Sequence, residues 1–319
     1  MRRALVVGIN DYPLAPLSGC VSDATKISML LEKHEDGSPN FSCKKILSSS
    51  ESISKTTLKA AIAKLLEQPA DMALFYFSGH GIHVNSLGGY LVTPDASKYD
   101  EGVSMTDILI LANNAPVREV VIILDCCYSG TFGNVPILST SDATLREGVA
   151  ILTASGPTEL AAETKDQGVF TNLICAALDG GASDVRGEVN VASMYSYCDQ
   201  ILGAWDQRPR FKANVSTLTE IRMCKPQVDL PILRLITTYF TSATYIYPLD
   251  PSYEPDKPDD YPKNEAHEKI FGHFQKYRAA RLLEPIGEEH LYFAAMRSKN
   301  CRLTPLGQFY WNMVKSETL

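Results

Sequence analysis

The sequence predicts an α/β fold: a mostly parallel β-sheet with helices on both faces, followed by a smaller C-terminal α+β module. Three observations carry this expectation. Short runs of β-branched and aromatic residues alternate with longer runs of helical periodicity over about two thirds of the 319 residues. The strand-like runs are continuously apolar, as strands covered on both faces are. Two of them, "DMALFYFSGHG" and "REVVIILDCCYSG", end in glycines at the strand end, where such sheets present their ligand sites.

Taken in order, "RALVVGIN" (from Arg3) is the first strand. "CVSDATKISMLLEKH" follows as a helix, with Ser22 or Asp23 near its start and Ile27, Leu30 and Leu31 on its buried face. "FSCKKILSS" reads as a second strand and "SKTTLKAAIAKLLEQ" as a second helix capped by Ser54. After "DMALFYFSGHG" come a short strand in "GGYLVTPDA" and a helix, "SMTDILILANN", capped by Ser104. "REVVIILDCCYSG" and "GVAILTASG" are further strands. "GVFTNLICAALDGG" is a helix ended by Gly180 and Gly181, and "NVASMYSYCDQILGAW" is another. These elements make one domain over residues 1–223.

Residues 224–264 are expected to form a linker. Its Pro- and acid-rich part, 247–265, should be extended and exposed. Over 265–319, "AHEKIFGHFQKYRAARLLEPI" reads as a helix. Two strand-like stretches around "SKN" and a closing helix from Thr304 complete the outline of a winged-helix-like module. Its cations (Lys276, Arg278, Arg281, Arg297, Lys299, Arg302) are offset by a similar number of acids. The expected partner is an activating or recruiting protein rather than nucleic acid.

With 45% hydrophobic and 21% charged residues, the composition is that of an ordinary globular protein, and a net charge of −7 excludes a polycation. The N-terminal apolar run is ended by Gly8, Asn10 and Asp11, too early for a signal peptide, and no segment reaches the roughly 18 apolar residues of a membrane span. A cytoplasmic protein without a membrane partner is expected. Its eight cysteines (20, 43, 126, 127, 175, 198, 224, 301) are scattered, with no CxxC pair and no zinc spacing, so thiols and no metal site are expected. The acidic run at 256–260 lacks EF-hand spacing, so calcium activation has no support there, and no cofactor is required.

The chemistry lies at Cys126, Cys127 and His80. A thiol becomes a nucleophile when a neighbour favours its thiolate, and histidine is the usual neighbour. His80 stands between Gly79 and Gly81 at a strand end, 47 positions before Cys127. Glycines there let a substrate backbone approach, and the N–H groups of Gly81 and Cys127 are candidates for an oxyanion hole. Cys126 is expected to pack in the core, and His83 to lie in a loop. A phosphatase loop would need arginine six residues after the cysteine, where Phe132 and Gly133 stand.

In this arrangement the sequence resembles the caspase-like cysteine peptidases (clan CD, C14 type), within them the metacaspase and prokaryotic caspase-homologue branch. Four ordered segments carry the resemblance: "ALVVGINDY…LSGCVSDA", "FYFSGHG" with "GYLVTPDA", "VIILDCCYSG" and "ILTASGPTELAAE". It implies a caspase-like α/β/α sandwich with Cys127 as nucleophile and His80 as its partner. It also implies a specificity pocket of Cys20, Asp23, Ser78 and Asp125 that takes Arg or Lys of a protein substrate. Asp23 as a mere helix cap is the plainer alternative. Tyr128 departs from the family, which more often has histidine there. The loop 131–149 corresponds to the segment that many relatives cut, and Arg146 is its basic residue and the candidate self-processing site. A stress, cell-death or antiviral-defence effector is implied. The alternatives are a catalytically silent scaffold and a regulator whose C-terminal winged helix binds DNA.

Overall fold

The computed structural model describes residues 1–84, 88–98, 100–126, 145–154, 163–164, 167–202, 209–258, 261 and 263–319. They form two compact units, one of Met1–Ser183 with Glu188–Cys224, the other of Asp184–Gly187 with Lys225–Leu319.

In the first unit the strands are β1 (Arg2–Gly8), β2 (Ser42–Leu47), β3 (Ala70–Ser78), β4 (Gly81–Val84), β5 (Gly88–Leu91), β6 (Val103–Ser104), β7 (Val117–Asp125), β8 (Val149–Thr153), β9 (Glu163–Thr164), β10 (Gln167–Gly168), β11 (Glu188–Val189), β12 (Arg210–Asn214) and β13 (Arg222–Met223). Its helices are α1 (Cys20–Glu32), α2 (Lys55–Glu67), α3 (Met105–Asn114), α4 (Val169–Ala176) and α5 (Val191–Leu202). The main sheet runs β12-β8-β7-β3-β1-β2. The pairs from β8 to β2 are parallel, and β12 joins antiparallel at the edge.

Strand alternation divides the core into two layers. Leu5, Val7, Phe75, Phe77, Ile122 and Leu124 face α2 and α3, while Val6, Leu74, Tyr76, Val121 and Ile123 face α1, α4 and α5. Helix starts follow local chemistry. The Ser54 side chain accepts from Thr57 N–H in a capping box, and Ser104 accepts from Asp107 N–H. Helix α1 is an exception: it begins at Cys20 after an N-cap glycine that offers no side chain. Its Val21 N–H instead donates to Asn10 Oδ1 at 3.2 Å. Beyond α4 the chain closes in a π-turn whose Gly180 sits at φ 107°, a left-handed conformation that suits glycine.

Gly8, at the end of β1, admits α1 to the sheet. A Cβ there would lie 2.4 Å from the Cys20 carbonyl oxygen and 2.8 Å from the Ala24 Cβ. Neither can retreat cheaply, so Gly8→Ala is expected to cost about 1–3 kcal/mol of stability. A denaturant melt with an unchanged midpoint would contradict this.

The second unit holds α6 (Leu230–Arg234), α7 (Ile236–Tyr239), β14 (Ile246–Pro248), α8 (Glu265–Ala279), β15 (Leu283–Ile286), α9 (Leu291–Met296), β16 (Asn300–Leu303) and α10 (Pro305–Lys315). Its sheet runs β14-β16-β15, all antiparallel. Two expectations are corrected. Residues 225–258 are not a linker: Val228, Leu233, Ile236, Phe240, Leu249 and Tyr253 are buried in the same core as Phe271, Phe274 and Tyr277. Even the acid-rich part is anchored, with β14 paired to β16 and the enclosed Lys257 bonded to Glu268 at 2.6 Å. Its aromatic residues decide this, since each buries far more area than the intervening prolines and acids lose.

The winged-helix outline is not confirmed. "LYFAAM" winds into α9, because Leu291, Ala294 and Ala295 recur at helical spacing and are buried. Helix α8 stops at Ala279, after which Arg281 turns left-handed (φ 59°) and "LEPI" becomes β15. Thr304 does cap the closing helix, accepting from Gly307 N–H.

Candidate active site

The parallel register lines up three strand ends. Gly8 of β1 stands opposite Ser78 of β3, and Ser78 stands opposite Asp125 of β7. Register partners on parallel strands share a face, so Ser78 and Asp125 both point to the α1/α4 side, with Tyr76 two residues back. Gly8 lets the first turn of α1 descend over this row, bringing Cys20 and Asp23 to it. All four expected pocket residues are buried: Asp23 1% exposed, Ser78 2%, Cys20 5% and Asp125 7%. Asp23 is the fourth residue of α1 and enclosed, not its cap. Both carboxylates act on the same neighbours. Burial, then Asp125 and Asp23, push the Tyr76 phenol well above its ordinary ionisation range, and burial followed by Asp23 pushes the Cys175 thiol up to about 12.

Asp125 has a defined partner. Thr171, in the first turn of α4, donates its hydroxyl to Asp125 Oδ2 at 2.5 Å, and the Tyr76 hydroxyl lies 2.5 Å from the same Thr171 oxygen.

His80 follows two residues after Ser78, past the end of β3. Gly79 N–H donates to the Asp125 carbonyl, and Val92 N–H donates to the His80 carbonyl, which binds the histidine backbone to β7 on one side and to the residue after β5 on the other. Tyr12 completes its setting. The Tyr12 hydroxyl accepts from His80 N–H at 3.0 Å and donates to the Val92 carbonyl at 3.2 Å, filling a place that a ladder bond would otherwise take. The two rings are 4.5 Å apart. A Cβ on Gly79 would lie 2.5 Å from that hydroxyl, so only glycine fits. His80 Nε2 lies 2.7 Å from the Ala15 carbonyl oxygen. A carbonyl only accepts, so Nε2 carries the proton and Nδ1 holds the basic lone pair. Gly81 begins β4 and remains partly open. His83 lies in β4, not in a loop.

Cys126 is 1% exposed and belongs to the α2/α3 core layer, opposite the pocket. Cys127 lies outside the described residues, as do residues 128–130, the loop as far as 144 and most of "GPTELAAE". None of the described cysteines (20, 43, 126, 175, 198, 224, 301) is in a disulfide. Burial pushes Cys43 up to about 11 and Cys198 and Cys301 up to about 12, which leaves almost no thiolate at neutral pH.

Arg146 is held in a group of carbonyls. Its guanidinium donates to the carbonyls of Ala112, Val117, Arg118 and Glu147, and its backbone N–H donates to Asn113 Oδ1. It ties the end of α3 to the start of β7, so cleavage after Arg146 requires these bonds to open first. Among the described residues no group of three His, Cys, Asp or Glu side chains is arranged to hold a metal, and no helix is long and apolar enough to cross a membrane.

Sequence reasoning missed Asn10, Tyr12, Tyr76 and Thr171. Asn10 and Tyr12 stand inside the quoted "GINDY", which was available as a signal. Tyr76 and Thr171 look like ordinary core residues of a strand and a helix.

The chain is similar to known proteins. Residues 1–217 match the family model of the caspase domain, peptidase C14. Metacaspase-1B of Aspergillus fumigatus is 30% identical over 168 residues, covering 46% of this chain and 40% of that protein. Metacaspase-2 of Trypanosoma brucei brucei is 26% identical over 162 residues, covering 42% and 43% respectively. The chain thus spans about two fifths of the length of the curated relatives it matches. A crystal structure of a Geobacter sulfurreducens protein is similar in fold, with a TM-score of 0.50 at 16% identity, covering 70% of this chain and 99% of that one.

Proposed function

The chain belongs to the caspase domain family, peptidase C14, and on that premise we propose that it is a cysteine endopeptidase that cleaves after Arg or Lys through Cys127 and His80. The observation that carries the specificity is the pair of buried carboxylates, Asp23 in the first turn of α1 and Asp125 at the end of β7, both acting on Tyr76. Two enclosed acids repel each other, so the site favours a cationic occupant over an acidic one.

His80 Nδ1 takes the proton of the Cys127 thiol, and the sulfur attacks the scissile carbonyl carbon. The N–H groups of Gly81 and Cys127 hold the tetrahedral oxyanion. Collapse breaks the C–N bond as His80 returns its proton to the leaving amine. Water, deprotonated by His80, then cleaves the thioester, and the proton goes back to sulfur. Asp23 and Asp125 grip the basic side chain and place the scissile bond over the thiol.

A peptide panel with Arg, Lys or Asp before the cleaved bond tests this reading, and cleavage confined to Asp would overturn it. Tyr12→Phe keeps the ring on His80 but loses the hydroxyl bridge. It is expected to lower kcat about tenfold with KM near wild type, and a rise in KM alone would assign Tyr12 to substrate binding.

For the second unit we propose protein contact rather than DNA binding. Lys276, Arg297 and Arg302 are paired with Asp229, Glu288 and Glu284, and Arg278 is bonded to the Glu289 carbonyl. Retention of the protein on duplex DNA at physiological salt would refute this. A cytoplasmic effector role in stress or defence, and self-processing after Arg146, belong to the same proposal.

A further inference from the structure

We propose that Thr171 and Tyr76 are the positioning residues that fix the plane of the Asp125 carboxylate and thereby favour Arg over Lys, an inference that rests on the pocket reading above. Thr171 and Tyr76 are both fully buried. The two contacts, Tyr76 to Thr171 and Thr171 to Asp125, are each 2.5 Å. A threonine hydroxyl has one hydrogen, and a carboxylate oxygen offers only lone pairs. The Thr171 hydrogen therefore goes to Asp125 Oδ2, and the Tyr76 hydroxyl must donate to Thr171. The chain has one direction, from Tyr76 through Thr171 to Asp125. Each donor strengthens the next, because the first hydrogen bond polarises the second. Burial, with the two nearby acids, keeps Tyr76 protonated at any physiological pH, so the donor at the head of the chain is permanent.

The chain joins elements that are distant in sequence. Tyr76 comes from β3, Asp125 from β7, and Thr171 from the first turn of α4, whose Phe170 and Ile174 share a core layer with Ala24 and Ile27 of α1. The helix that carries Asp23 and the helix that carries Thr171 are thus packed together. The orientation of Asp125 is set by the same packing that sets Asp23.

The consequence concerns geometry more than charge. A guanidinium is planar and binds a carboxylate through two parallel N–H bonds, so it needs the carboxylate plane held in place. An ammonium is a point charge with rotatable donors and tolerates a carboxylate that turns. Removing the Thr171 hydroxyl should therefore weaken recognition of Arg far more than that of Lys.

The test is the ratio of kcat/KM for matched Arg and Lys peptides. Thr171→Val is expected to raise KM for the Arg peptide about tenfold and for the Lys peptide about twofold, with kcat little changed. Thr171→Ser should restore the wild-type ratio. Tyr76→Phe removes only the far hydroxyl and should move the ratio in the same direction by less, which keeps the test open if Thr171→Val folds poorly. If turnover is too slow, the two dissociation constants measured on a Cys127→Ala background give the same ratio. An equal loss for both peptides, or no change, overturns the inference while leaving the Arg/Lys reading intact. A wild-type enzyme that cleaves only after some other residue overturns both.

Discussion

Cys127→Ala is expected to reduce peptide cleavage to background, a fall on the order of 10⁶ in kcat, while Cys126→Ala leaves turnover within about threefold of wild type. The contrast follows from where the described thiols sit. Cys126 is sealed into the α2/α3 layer, and Cys43, Cys175, Cys198 and Cys301 are all pushed towards 11 or 12 by burial. Those four carry almost no thiolate at neutral pH. His80→Ala should cost on the order of 10²–10⁴ in kcat with little change in KM, because it removes proton transfer and not binding. Steady-state kinetics with an Arg peptide on the three variants decides this. Full activity of Cys127→Ala would refute the assigned nucleophile.

The second large effect is expected at Asp125. Asp125→Asn keeps the shape and an acceptor for Thr171 but removes one of two enclosed negative charges. Recognition of a basic side chain then loses about 2–4 kcal/mol, which is roughly a 30- to 1000-fold fall in kcat/KM for Arg peptides. Stability should move the other way. Asp23 and Asp125 are buried like charges that act on the same Tyr76 phenol, so Asp125→Asn is expected to raise the melting temperature at neutral pH. Lower activity with higher stability marks a site built for a ligand. If the melting temperature dropped and kcat/KM for Arg held, Asp125 would be a structural residue only.

Local chemistry was legible in the sequence wherever a residue acts on its own neighbours in the chain. The caps at Ser54, Ser104 and Thr304 each answer an N–H three residues on. The packing of Cys126 follows from strand alternation, which places 122, 124 and 126 in one layer. Where the reading failed, a few large side chains outweighed the average composition. Tyr247, Leu249 and Tyr253 draw a Pro- and acid-rich stretch into a core, and Leu291, Ala294 and Ala295 make a helix of a segment that looked like a strand.

By itself the sequence determined the α/β class of residues 1–223, the strand ends that precede His80 and Cys126, and the family they resemble. Periodicity, capping and motif spacing are properties of nearby residues, and they survive in one dimension. Only the tertiary structure decided that Gly8, Ser78 and Asp125 form a row beneath Asp23. The same is true of Tyr12 bridging His80 to Val92, and of Thr171 passing a hydrogen bond from Tyr76 to Asp125. Those partners lie 46, 68, 80 and 95 positions apart. A hydroxyl within an apolar run gives no sign of its partner until strand register and helix packing bring the two within hydrogen-bonding distance.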